Sequence, residues 1–220
     1  MSSQRTWTVD ERKFFEPAEQ AALREHVRQA KRRTDRRGPW LDWFLVELAF
    51  QTGLRVSELG ALRCGDLYVH GHRPGVAVQC GKGGRARYVR INRYCCRVIR
   101  QFIAWRQATD QPTASASPVF RSPGQSDEPV TVRALQKRFT RLLSAVGIRG
   151  HSLHHCRHTY ATNLYLASGG NLRLVQKQLG HRKVTTTQVY ADVFDDTMQL
   201  AIEGLYRPKP NRRSTRNGRT

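Results

Sequence analysis

The 220-residue sequence predicts an α-rich α+β domain, predominantly helical with a small antiparallel sheet. Three observations carry that expectation. Apolar residues recur at helical spacing on both sides of a short middle stretch. Between Asp66 and Ile91 the segments become short, β-branched and partly alternating. Glycines, or runs of Pro, Ser and Ala, separate the segments from one another.

Residues 16–33 (EPAEQAALREHVRQAKRR) read as a surface helix, with Pro17 early, acids near the start and bases near the end, as the helix dipole favours. In PWLDWFLVELAFQTG, Leu41, Phe44, Leu45, Leu48 and Ala49 fall at i, i+3, i+4, i+7 and i+8. That is the stripe of a core-facing helix, stopped near Gly53. VSELGALR restarts a helix almost at once, with Arg55 at the joint. DLYVH, GVAVQC and ARYVRI then form the sheet, with Lys82 in the glycine-rich turn GKGGR. Asn92 can cap the next helix, RYCCRVIRQFIAWRQ. Residues 108–130 predict a long surface connection with one ordered anchor at Val119–Phe120. Helices follow in VRALQKRFTRLLSAV, LHHCRHTYATNLYLAS and NLRLVQKQL, ending near Gly147, Gly169–Gly170 and Gly180. Two more are expected, one near 184–191 and one in TMQLAIEGLY. The tail 207–220 carries Arg207, Lys209, Arg212, Arg213, Arg216 and Arg219 with no acid, and reads as disordered in isolation and available to phosphates.

Thirty-eight Lys and Arg against 17 Asp and Glu give a formal charge of +21. So large an excess repels itself in a compact state and calls for a polyanionic partner, nucleic acid first. No apolar run approaches the roughly 20 residues that span a bilayer, and the N-terminus lacks a signal-peptide core. The five cysteines, Cys95 and Cys96 adjacent among them, form no CxxC pair. Free thiols in a reducing cytoplasm are expected, rather than disulfides or a zinc site.

Four segments set Arg, Lys, His or Tyr beside structural punctuation. In TGLRVSEL, Gly53 lets the chain turn and Arg55 heads a helix, with Glu58 placed to brace it or cap the helix. In GKGGR, Lys82 tips a hairpin. In HHCRHTYAT, His154 and Arg157 share one helical face, with His158 a turn beyond His154. In LGHRKVTTTQVY, His181 follows Gly180 and Tyr190 comes nine positions later. Taken singly, each has an ordinary reading: a surface ion pair, a solvated turn lysine, a half-buried aromatic. A metal site at the histidines is disfavoured, because the glutamate base of an HExxH helix is missing and Arg157 would repel a cation. An anion suits His154 and Arg157 better.

In this order the four segments resemble the tyrosine recombinase (phage integrase) family over about residues 14–205. TGLRVSEL is similar to its first arginine box and GKGGRARYVRI to its hairpin lysine. HHCRHTYATNL resembles its H-x-x-R helix, and LGHRKVTTTQVY its histidine-to-tyrosine box. Carried over position by position, the resemblance implies an active set of Arg55, Lys82, His154, Arg157, His181 and the nucleophile Tyr190. It implies attack on a phosphodiester of double-stranded DNA, a 3′-phosphotyrosyl link, no metal or other cofactor, and a tetrameric synapse. TMQLAIEGLY resembles the helix by which family members grip a neighbouring protomer.

The expected division is a catalytic domain over 1–206 and a basic tail over 207–220. About 50 residues precede Arg55; they resemble the catalytic domain's own first helices, so no separate N-terminal DNA-clamp domain is expected. Cys156 stands where the family commonly has leucine, and His151 and His155 read as extra surface or DNA-backbone contacts. Two competing readings are a type IB topoisomerase-like nicking and resealing activity, and a DNA-binding module that keeps the pocket without recombining.

Overall fold

A computed structural model describes residues 14–79, 86–122 and 127–180. Helix α1 (Pro17–Arg32) begins with proline in its first turn, and the Glu16 N–H donates to the Glu19 carboxylate at 2.9 Å. Its buried Leu23 and Val27 face α2 (Arg37–Thr52). Near the end of α1, the buried Lys31 ammonium lies 3.7 Å from the Trp43 ring centroid and 4.6 Å from that of Trp40. Stacking on aromatic faces offsets part of the cost of its desolvation.

Helix α2 departs from the amphipathic stripe expected of it. Every residue from Trp40 to Phe50 is buried, Asp42 and Glu47 included, because α1, α4 (Arg93–Ala108), α5 (Val132–Ala145) and α6 (Leu153–Ala167) all pack against it. Its two acids face inward and are matched there. Asp42 accepts from Arg138 and, at 3.2 Å, from Arg141, both on α5. Glu47 accepts the Tyr94 hydroxyl at 2.9 Å, with Arg24 and Arg28 at 3.8 and 3.9 Å. Buried charges with such partners are tolerated in a core.

After α3 (Val56–Ala61) and a short 3₁₀ turn, β1 (Leu67–Tyr68), β2 (Gly75–Val78) and β3 (Arg87–Arg90) form an antiparallel sheet in that order. The register aligns Leu67, Val76 and Val89 in one row facing the core. Tyr88 lies over Gly75 on the other face; a Cβ at Gly75 would sit 2.3 Å from its ring. Helix α4 (Arg93–Ala108) starts at Asn92, whose side chain accepts the Cys95 N–H at 2.8 Å.

The connection to α5 (Val132–Ala145) is anchored at Val119 and Phe120, both buried, as its sequence predicts. A further clamp was not predicted. The buried Arg106 of α4 donates to the carbonyls of Pro112, Pro118 and Val119, pinning this loop to the domain. Helices α6 (Leu153–Ala167) and α7 (Leu172–Leu179) complete the described chain, with α6 crossing α2 and α7 lying against β3. No helix among the described residues is long and apolar enough to cross a membrane. Cys64, Cys95, Cys96 and Cys156 are free thiols, and no metal-binding cluster of His, Cys, Asp or Glu is present among the described residues.

Candidate active site

Gly53 ends α2 in a left-handed conformation, φ +60°, which a side chain would strain. Space forbids one as well, since a Cβ there would meet the Tyr160 ring at 2.5 Å. Two residues later the chain enters α3 with Arg55 at its N-cap. The Glu58 carboxylate reaches back to the Arg55 N–H at 2.7 Å, and Arg55 Nη1 donates to its other oxygen at 2.9 Å. Both roles expected of Glu58 are therefore filled by one carboxylate.

Helix α6 supplies the opposite wall. Ser152 caps it by accepting the His154 N–H at 3.2 Å. His155 takes the position a capping box usually gives to Glu or Gln, its Nδ1 accepting the Ser152 N–H at 3.0 Å. The buried Arg157 sends Nη1 to the Gly53 carbonyl at 2.7 Å and Nη2 to the Leu179 carbonyl at 2.8 Å. One guanidinium thus ties the turn before Arg55 to the end of α7, across 104 residues of sequence in the first case. The small, buried Cys156 packs beside it in the core, with burial pushing its thiol well above the usual range.

Arg55, His154 and Arg157 line one pocket of about 190 Å³ with Leu54, Val56 and Ser57. That is several times the ~30 Å³ share of a water molecule. Partial burial, with the Arg157 and Arg55 guanidiniums beside it, holds the exposed His154 imidazole below its ordinary pKa. It is therefore neutral at pH 7 and able to accept a proton. For Glu58, burial alone would raise the pKa. Hydrogen bonds from Arg87 and from Arg55 outweigh it and leave the carboxyl below its ordinary range. The pocket is thus lined by two arginines and a histidine, and the carboxylate that balances Arg55, that of Glu58, is buried.

Of the six residues singled out in sequence, three are brought together here. Lys82, His181 and Tyr190 lie outside the described residues, as do the two expected helices beyond Gly180 and the basic tail. His158 packs edge-on against His154 at 4.5 Å between ring centroids. The surface position expected of His151 is corrected: its side chain is 7% exposed, packed at a tilt on Phe15 with 4.3 Å between ring centroids and paired with Glu19 at 3.1 Å. His155 is half-buried and caps α6.

Sequence reasoning missed Arg87, which grips Glu58 with two bonds of 2.6 and 2.7 Å. The signal was present: on β3 it alternates onto the same side as Val89, an inward position for a charge. Also missed was Gln178, which brackets β3 by accepting the Arg90 N–H at 3.2 Å and donating to the Arg90 carbonyl at 2.6 Å.

The described chain is thus a helical domain with a three-stranded sheet, in which Arg55, His154 and Arg157 line one pocket. Residues 17–197 match the phage integrase family, and the chain belongs to that family. It is 37% identical over 150 residues to tyrosine recombinase XerC of Xylella fastidiosa (strain 9a5c), covering 68% of this chain and 47% of that protein. The chain thus spans about half the length of the curated relatives it matches. Among solved structures, XerA recombinase superposes with a TM-score of 0.67 at 25% identity, covering 89% of this chain and 65% of that one. The Tn1549 transposon integrase in complex with transposon right end DNA gives a TM-score of 0.68 at 21% identity, covering 88% and 66%.

Proposed function

We propose that the protein is a tyrosine-type site-specific recombinase or integrase that cuts and rejoins double-stranded DNA through a 3′-phosphotyrosyl intermediate on Tyr190. The observation that carries this reading is the convergence of Arg55, His154 and Arg157 on one pocket from segments about a hundred residues apart. The formal charge of +21 is in keeping with a duplex partner, like the transposon DNA held by the Tn1549 integrase.

The phosphodiester is anionic, and attack gathers further charge on its nonbridging oxygens. Arg55 and Arg157 would hold those oxygens with planar, permanently charged donors. The Tyr190 phenol, with an ordinary pKa near 10, must lose its proton as its oxygen bonds to phosphorus. His154, kept neutral, is the base that takes it. His181 donates to a phosphate oxygen or assists that transfer. Lys82 protonates the departing 5′-oxygen, and a lysine partly desolvated among cations gives up a proton readily. The phosphotyrosyl bond conserves the energy of the broken link, so a 5′-hydroxyl from another strand can reseal it. The catalytic unit runs through residue 206, the tail 207–220 adds phosphate contacts, and TMQLAIEGLY docks on a neighbouring protomer in a tetrameric synapse. Free, reduced cysteines suit a cytoplasmic setting.

Incubating the full chain with a nicked duplex of its own target in EDTA tests this directly. The expected result is a denaturant-resistant protein–DNA adduct, lost in Tyr190→Phe. An adduct that persists in Tyr190→Phe would refute the nucleophile, and binding with no adduct in the wild type would leave a DNA-binding module instead.

A further inference from the structure

Glu58 is nearly fully buried, with a side-chain exposure of 2%, and one oxygen of its carboxylate receives the guanidinium of Arg55. Arg55 closes only one ring of that contact, through Nη1. The firmer grip comes from Arg87, whose two terminal nitrogens bond to the two carboxylate oxygens at 2.6 and 2.7 Å. A bidentate fork of this kind fixes the plane of the carboxylate as well as its position. Glu58 is thus held from one side by β3 and, from the other, holds the pocket arginine.

Arg87 also reaches the end of α7. It opens β3, five positions after Lys82 in sequence. Its side chain also lies directly on Gly180: a Cβ at that glycine would meet Arg87 Cδ at 2.7 Å and Nε at 3.1 Å. Gly180 caps α7 in a left-handed conformation and precedes His181 by one residue. Gln178 bolts α7 to β3 through Arg90, so the Arg87–Gly180 contact is held in place by a second one two residues earlier on α7.

From this we infer that Arg87 is a positioning residue that sets Arg55 through Glu58 while holding β3 against Gly180 at the end of α7. It does not line the pocket. Its action is on the orientation of Arg55, where a misplacement of about 1 Å is enough to cost about 100-fold in rate. Lysine would keep the charge and lose the fork, so charge and geometry separate experimentally.

The inference rests on the recombinase reading for its kinetic arm only. The experiment compares wild type, Arg87→Lys, Glu58→Gln and the double variant by single-turnover adduct formation, duplex affinity and ¹⁵N relaxation of the Arg55 Nε–H. Arg87→Lys is expected to slow adduct formation about 100-fold at saturating DNA while affinity stays within about twofold. Glu58→Gln should do the same, and the double variant should be no slower than either. In both single variants the Arg55 side chain should lose order. Additive losses would show that Arg87 acts independently of Glu58, and an Arg55 signal unchanged in Arg87→Lys would overturn the inference whatever the rates. If wild type forms no adduct but Arg55 still loosens, the recombinase reading falls and the positioning role stands. Should Arg87→Lys fail to fold, the nearly isosteric Glu58→Gln carries the same test.

Discussion

Arg106 and Arg157 look alike by every local measure and serve different ends. Each sits on a long helix, each is almost wholly buried, and each spends its guanidinium on backbone carbonyls. Arg106 ties Pro112, Pro118 and Val119 to α4, far along the chain from the pocket, and its own surroundings are Cys64 and a loop. Arg157 ties Gly53 to Leu179 and in doing so sits beside Arg55 and His154. Burial and carbonyl bonding therefore mark an arginine as structural cement and say nothing of catalysis. Company decides: one has a loop for a neighbour, the other has a second arginine and a histidine around a cavity.

Substituting lysine at both positions should separate the two roles most sharply. Arg157→Lys should slow adduct formation about 100- to 1,000-fold, measured in single turnover on the nicked duplex. Arg106→Lys should instead lower unfolding free energy by about 2–3 kcal/mol, from carbonyls left unsatisfied in the core, with adduct formation within about twofold while the protein is folded. Equal kinetic losses at both would erase the distinction. Gly53→Ala strikes the point where Arg157 holds the turn. A methyl group 2.5 Å from Tyr160, at φ +60°, should cost about 2 kcal/mol in denaturant melts. An unchanged midpoint would mean the turn yields more easily than its packing indicates.

The pH profile sharpens the comparison from the side of the base. Partial burial and the two guanidiniums lower the His154 pKa, so the imidazole stays unprotonated down to a pH below the usual histidine value of about 6.5. As pH falls through that lowered pKa, His154 protonates and adduct formation should drop about tenfold per unit. A limb at or above 6.5 would assign the base elsewhere. The smallest effect belongs to the remote region: Asn92→Ala removes the cap of α4 and should cost about 1 kcal/mol with no kinetic change.

Much of this was legible in the sequence because local rules and tertiary demands agree. Gly53, Asn92 and Gly180 stop or start helices as their side chains require, and the row of Leu67, Val76 and Val89 follows strand alternation. His154 and Arg157 share a helix face through spacing alone, and Glu58 lies within reach of Arg55 by the same arithmetic. What stayed hidden depends on partners distant in the chain. The burial of the α2 acids is hidden because nothing local announces Arg138 or Tyr94. The role of Arg87 is hidden because its partner Glu58 lies 29 residues earlier. His151 was misread for the same reason: in a histidine-rich run it reads as a surface group, whereas Phe15 and Glu19, far away in sequence, hold its ring nearly buried.

The central claim is that Arg157, with Arg55, neutralises a phosphodiester during attack. Adduct formation by wild type and Arg157→Ala on a duplex whose scissile phosphate is replaced by an uncharged methylphosphonate tests it most directly. On the ordinary phosphate the variant should lag about 1,000-fold, and on the neutral linkage the gap should shrink to about tenfold or less, because the charge that Arg157 opposes is gone. A gap of the same size on both linkages would contradict the account.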